Sequence, residues 1–211
     1  MKMSKELIQI LKNFQNKQPE LLSMDAETRI DKLGEVFKDV ARQLLNGGCF
    51  VVHSNGVEYR KVYLHTLEFY YHEEEGVLKD YIVYHRNKPA KPLPYFKLGT
   101  LNAHQSGIDI TFESEDGKYR ASALVRAFEV NGKVDTRSTY LYDQLFTDVP
   151  MPFSVEWKSE KREGGLYQGY RVNVHLYDKD EKPLKECPDD KPWAFSRADF
   201  PPKYRMKKQA D

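Results

Sequence analysis

The chain has 211 residues, of which 33 are Lys or Arg and 32 Asp or Glu, for a formal charge of +1. So balanced a total excludes a strong overall field for nucleic acid, and any such binding needs a local basic surface. An apolar share of 40 %, with 14 Tyr and 11 Phe, excludes a disordered chain.

The N-terminus, "MKMSKELIQILKNFQNK", has Lys and Asn inside its apolar pattern and reads as a soluble helix, not a signal peptide. Leu7, Ile8, Ile10 and Leu11 form its apolar face, and a polar break, "NKQPE", follows. From Asp25 to Leu45, Ile30, Leu33, Val36, Phe37, Val40, Leu44 and Leu45 recur at helical spacing until Gly47 and Gly48 stop the helix. The period then switches to strands. "CFVVHS" leads through Asn55-Gly56, a hairpin turn, into "VEYRKVYLHTLEFYY". Strict alternation there places Val62, Leu64, Thr66, Glu68 and Tyr70 on one face. "DYIVYH" is a further predicted strand, and "RNKPAKPLP" an irregular connection. "GIDITFE" and "KYRASALVRAFEV" flank Asp116-Gly117 as a second hairpin, which Asn131-Gly132 ends. "PFSVEW" and "YQGYRVNVHLY" read as strands, and the last forty residues, rich in Pro, Asp and Lys, are expected to wrap the surface. The fold class is α+β: N-terminal helices, then a mostly antiparallel sheet. Residues 1–24 form a helical extension and 25–211 a single domain.

Glu68 carries the first chemical signal. A carboxylate among Leu67, Phe69, Tyr70 and Tyr71 is costly unless paired or used. It either pairs across the sheet, as most strand carboxylates do, or serves as a general base whose pKa burial raises. Arg126, in an otherwise apolar strand, is the natural partner. The six histidines show no metal-ligand spacing, and Cys49 and Cys187 form neither a disulfide framework nor a zinc pattern. "GTLNAHQSG" gathers His104, Ser106 and small residues between strands, as a tight turn or a ligand-facing loop would. No apolar run approaches the roughly 20 residues of a membrane span. A cytoplasmic protein without metal or organic cofactor is expected.

Taken in order, these pieces resemble the alkyladenine (3-methyladenine) DNA glycosylase family over about residues 40 to 130 and a short C-terminal stretch. "ARQLLNGGCFVVHSNGVEYRKVYLHTLEFY" is similar to the family's helix end, turn and "VETEAY" strand. "YIVYHRN", "YFKLGTLNAHQSGI", "ASALVRAFEV" and "DKPWAF" follow with weaker likenesses. The resemblance implies the family fold and hydrolysis of the N-glycosidic bond of a damaged, alkylated purine in DNA. Glu68 falls on the water-activating carboxylate and Arg126 on the site arginine. Tyr70 and Tyr84 become stacking residues, and His85 the contact to the base or to the backbone next to it. Gln105 and Ser106 stand where the family carries an intercalating Tyr, and Asp109 and Thr111 are the polar candidates for the Asn that follows in its "CMN". These departures keep open an enzyme for single strands or small nucleosides, or a binding module without catalysis.

Overall fold

The computed structural model describes residues 4–85, 95–177, 182–188, 190–198 and 207–209. Helix α1 spans Lys5–Asn16, with Ser4 accepting the Leu7 amide at its start. The expected polar break holds a short helix, α2, at Gln18–Leu22, where Pro19 in the first turn needs no amide donor. Asp25 caps α3, Ala26–Asn46, through the Thr28 amide. Gly47 and Gly48 follow the end of α3, and neither position has room for a Cβ. A Cβ on Gly47 would stand 2.3 Å from the Gln43 carbonyl oxygen, and one on Gly48 2.6 Å from that of Lys158.

Strand β1, Gly48–Ser54, turns at Asn55 and Gly56, both at positive φ, into the 17-residue β2, Val57–Glu73. The following strands are β3 (Leu101–His104), β4 (Gly107–Thr111), β5 (Tyr119–Val130) and β6 (Lys133–Asp135). Next come a turn of helix, α4, at Tyr140–Tyr142, then β7 (Phe153–Ser159), β8 (Tyr167–Gly169), β9 (His175–Tyr177) and β10 (Pro183–Pro188). β11 (Ala194–Ser196) and β12 (Lys207–Lys208) complete the chain. The main sheet runs β12-β8-β11-β2-β5-β4-β3, every pairing antiparallel, with β1 and β7 extending it alongside the first half of β2.

The helices cover one face. Phe37 of α3 stacks on Phe69 at 4.7 Å and meets Trp193 edge-on at 5.2 Å, while Phe14 of α1 packs against Phe112 at 4.8 Å. Leu7, Leu11 and Phe14 are fully buried in this core, so the first helix shares it with the sheet. A smaller apolar cluster of Tyr70, Val83, Tyr84, Leu124 and Val174 lies apart from it.

Three expectations change. Register irregularities on either side of Thr66 break the alternation of β2, so Val62 and Leu64 join Leu67, Phe69 and Tyr71 in the helix-side core while Tyr70 does not. "DYIVYH" is no strand. β5 already has β2 and β4 as neighbours, and Asp80 instead ties the segment down, its carbonyl accepting the Val83 amide and its own amide bonding to His72 Nδ1. Val83–His85 forms a 3-10 turn with Tyr84 at φ 57°. Nor do the last forty residues simply wrap the surface: β11 sits between β2 and β8, and Trp193 and Phe195 are buried. All of "RNKPAKPLP", residues 86–94, and residues 199–206 lie outside the described residues.

Candidate active site

Glu68 sits in the middle of β2, opposite Leu124 of β5 on one side and Ala194 of β11 on the other. Phe69 beside it points into the aromatic core, so the pleat turns Glu68 to the other face. Its side chain is 0 % exposed. Such a carboxylate must be satisfied internally, and three groups converge on it. The Tyr70 hydroxyl donates to Oε2 at 2.8 Å, the Val172 amide donates to Oε1 at 2.9 Å, and Arg126 Nε stands 3.6 Å from Oε1. Burial nevertheless outweighs them and raises the Glu68 pKa above its ordinary 4.5, with Arg126 the largest opposing influence. Burial likewise pushes the Tyr70 phenol well up, so it stays a donor.

The Glu68 partners Tyr70, Arg126 and Val172 line a cleft with a cavity volume of about 70 Å³. Tyr84, Ile82 and Leu124 add its apolar surface; His104, Ser106 and Asp109 form another part, and Asn173 and Val174 a third. Six of the eight residues singled out in the sequence therefore meet here, with Glu68 directly behind their wall. The eighth, His85, closes the 3-10 turn, and its side chain lies outside the described part of the structure.

The β3–β4 hairpin positions the polar part. The Ser106 amide donates to His104 Nδ1 at 3.2 Å, which leaves the ring proton on Nε2, 2.9 Å from Asp109 Oδ2. Asp109 Oδ1 accepts from Ser122 at 3.2 Å. Thr111, the other polar residue considered for this strand, is fully buried and spends its hydroxyl on the carbonyls of Lys97 and Thr100. Tyr84 donates to the Ala121 carbonyl at 3.0 Å and meets the Phe96 ring edge-on.

Sequence reading missed the segment over Glu68. "YQGYRVNVHLY" breaks after Gly169 and resumes as strand only at His175. In between, Arg171 bonds the Phe69 carbonyl, pairs with Asp80, and lies 4.8 Å from the Tyr70 ring centre and 5.3 Å from that of Trp193. Asn173 takes φ 62°. Asn at a left-handed position was the one local hint of a break. Among the described residues, no group of three or more His, Cys, Asp or Glu side chains could hold a metal ion, and no helix is long and apolar enough to cross a membrane.

Comparison with protein-family models, curated proteins and solved structures finds no match for the chain.

Proposed function

We propose that the protein is an N-glycosidic-bond hydrolase that removes a damaged, alkylated purine from DNA. The observation that carries this reading is the buried Glu68, held by Tyr70, Arg126 and Val172 directly behind an aromatic-walled cleft. A base inside a duplex must be rotated out of the stack to reach such a cleft. Tyr70 and Tyr84 supply π surfaces, which favour an electron-poor or cationic purine over a normal one. Glu68 takes a proton from water as the water oxygen bonds to the sugar carbon. The carbon–nitrogen bond breaks, and the base leaves with the bonding pair. The negative carboxylate stabilises the positive charge that develops on the sugar. Arg126 fixes the carboxylate and favours its ionised form. Because Glu68 is closed to bulk solvent, the water must enter from the cleft, past Val172 and Arg126. The left-handed Asn173 next to Val172 is where the covering segment would bend.

A second reading keeps this chemistry and changes the substrate to single-stranded nucleic acid or a free nucleoside. Two observations favour it. Arg126 is the sole Lys or Arg among the described residues lining the cleft, and duplex grip rests on basic side chains at the phosphates. The β3–β4 turn presents Gln105 and Ser106, which offer no ring to fill the gap left by an extruded base. Base release from matched single- and double-stranded oligonucleotides separates the two readings. Release from both strand forms at similar rates fits the duplex enzyme. Release confined to single strands or nucleosides fits the second.

A further inference from the structure

The two hydrogen-bond donors of Glu68 come from different parts of the chain, and one side chain is tied to both. Tyr70 donates from β2, and the Val172 amide from the segment over it. Arg171 directly precedes Val172, and its guanidinium lies 4.8 Å from the centre of the Tyr70 ring. It is not among the residues lining the cleft. It stands behind them, with a side chain only 2 % exposed.

A charge buried so deeply needs partners, and the end of β11 leaves room for the first. The Phe69 amide donates to the Trp193 carbonyl, but the Trp193 amide turns to Lys191. The Phe69 carbonyl, next to Glu68, is thus left to another donor, and Arg171 Nη1 reaches it at 3.1 Å. The same nitrogen pairs with the buried Asp80. Asp80 is fixed in turn, its amide donating to His72 Nδ1 and its carbonyl accepting the Val83 amide. A buried ion pair adds little to stability, because desolvation offsets its attraction. What this one adds is location. It joins β2, the turn that carries Tyr84 and the segment that carries Val172 at a single point.

We infer that Arg171 is the positioning residue that keeps both donors on Glu68: clamped to the Phe69 carbonyl and to Asp80, it sets the Val172 amide on Oε1 and the Tyr70 hydroxyl on Oε2. The charged and titratable groups that face Glu68 are then Tyr70 from β2, Arg126 from β5 and Arg171 from the covering segment, with Asp80 beyond Arg171. Leu124 and Ala194, paired with Glu68 on either side, bring none. Donors held in place favour the ionised carboxylate, whereas burial alone favours the neutral acid. The inference deepens the hydrolase reading and rests on it for what the carboxylate does, but the clamp can be observed at Glu68 and Val172 directly.

The test compares wild type, Arg171→Gln and Arg171→Lys by NMR, each as the full chain. One readout is the titration of the Glu68 carboxyl in isotope-labelled protein, assigned with Glu68→Gln. The other is hydrogen exchange of the Val172 amide. Arg171→Gln should raise the Glu68 midpoint above that of wild type, and Arg171→Lys, which restores the charge without the fork, should bring it part of the way back. The Val172 amide should exchange at least about 10-fold faster in Arg171→Gln, with the amides of α3 unchanged. A midpoint that stays put, or one that falls toward the ordinary 4.5 because water has entered, would overturn the inference. So would a Val172 amide that exchanges no faster. Should Arg171→Gln fail to fold, wild type decides. Its Val172 amide lies outside the strands yet should be as protected as those of β2, and unprotected exchange there would overturn the clamp. If these shifts appear in a protein that cleaves no glycosidic bond, the clamp stands and only the hydrolase reading falls.

Discussion

At the scale of single residues, the site is governed by Glu68 and its cost. Its folded pKa lies above the unfolded value because burial outweighs the help from Arg126, Val172 and Tyr70. The folded chain then holds this proton to higher pH than the unfolded chain does. The Glu68 contribution to stability is thus greatest at acid pH and falls as pH rises from about 4.5 through the raised value. Glu68→Gln, uncharged and near in shape, should accordingly be more stable than wild type at neutral pH in urea unfolding, and the advantage should shrink toward pH 4. Activity has the opposite demand, since only the ionised carboxylate takes a proton from water. The acid limb of kcat/KM should lie above the ordinary Glu range, and Arg126→Gln should move it further up by removing the nearby positive charge. Tyr70→Phe should cost about 1–3 kcal/mol of stability, because a buried carboxylate oxygen loses its donor. An acid limb that stays put in Arg126→Gln would mean that Arg126 does not act on Glu68.

At the scale of elements, close approach matters as much as polarity. β1 begins at Gly48, against β7, where a Cβ would stand 2.7 Å from two atoms of the Trp157 ring. Gly48→Ala should lower stability by about 1–3 kcal/mol, measured as a lower urea midpoint with an unchanged slope. Much at this scale was legible in the sequence for physical reasons. The α3 face repeats at the helical period, Asn55-Gly56 and Asn131-Gly132 both take the positive φ their hairpins require, and "GIDIT" alternates cleanly into β4. What could not be read depended on the rest of the sheet. The break in β2 near Thr66 has no marker of its own, and strict alternation therefore put Val62 and Leu64 on the wrong face. "YIVYH" has strand composition but finds β5 already paired on both sides. The site was legible in part for the same reason. Glu68, Tyr70 and Arg126 lie on regular strands, whereas Arg171 and Val172 reach Glu68 from a segment 104 residues further on, counted to Val172. Nothing local in that segment points back to β2.

At the scale of the whole molecule, the sheet divides the labour. One face is closed by α1 and α3 over an aromatic core. The other face carries the cleft and a covering segment pinned by Arg171 and Asp80. The first helix belongs to this arrangement, since Phe14 touches Phe37, Tyr71, Phe112 and Tyr119 at once. Phe14→Ala should therefore cost about 3–5 kcal/mol. A loss under about 1 kcal/mol in thermal or urea unfolding would contradict the packing described.

On the function proposed, Glu68 drives hydrolysis of a glycosidic bond. The most direct test is release of an alkylated purine from single- and double-stranded oligonucleotides by wild type and Glu68→Gln side by side. Wild type should liberate free base, and the variant, though folded, should be slower by roughly 100-fold or more. Equal release by the two proteins, or none by wild type from either strand form or from the matching nucleoside, would rule out Glu68 as the hydrolytic group.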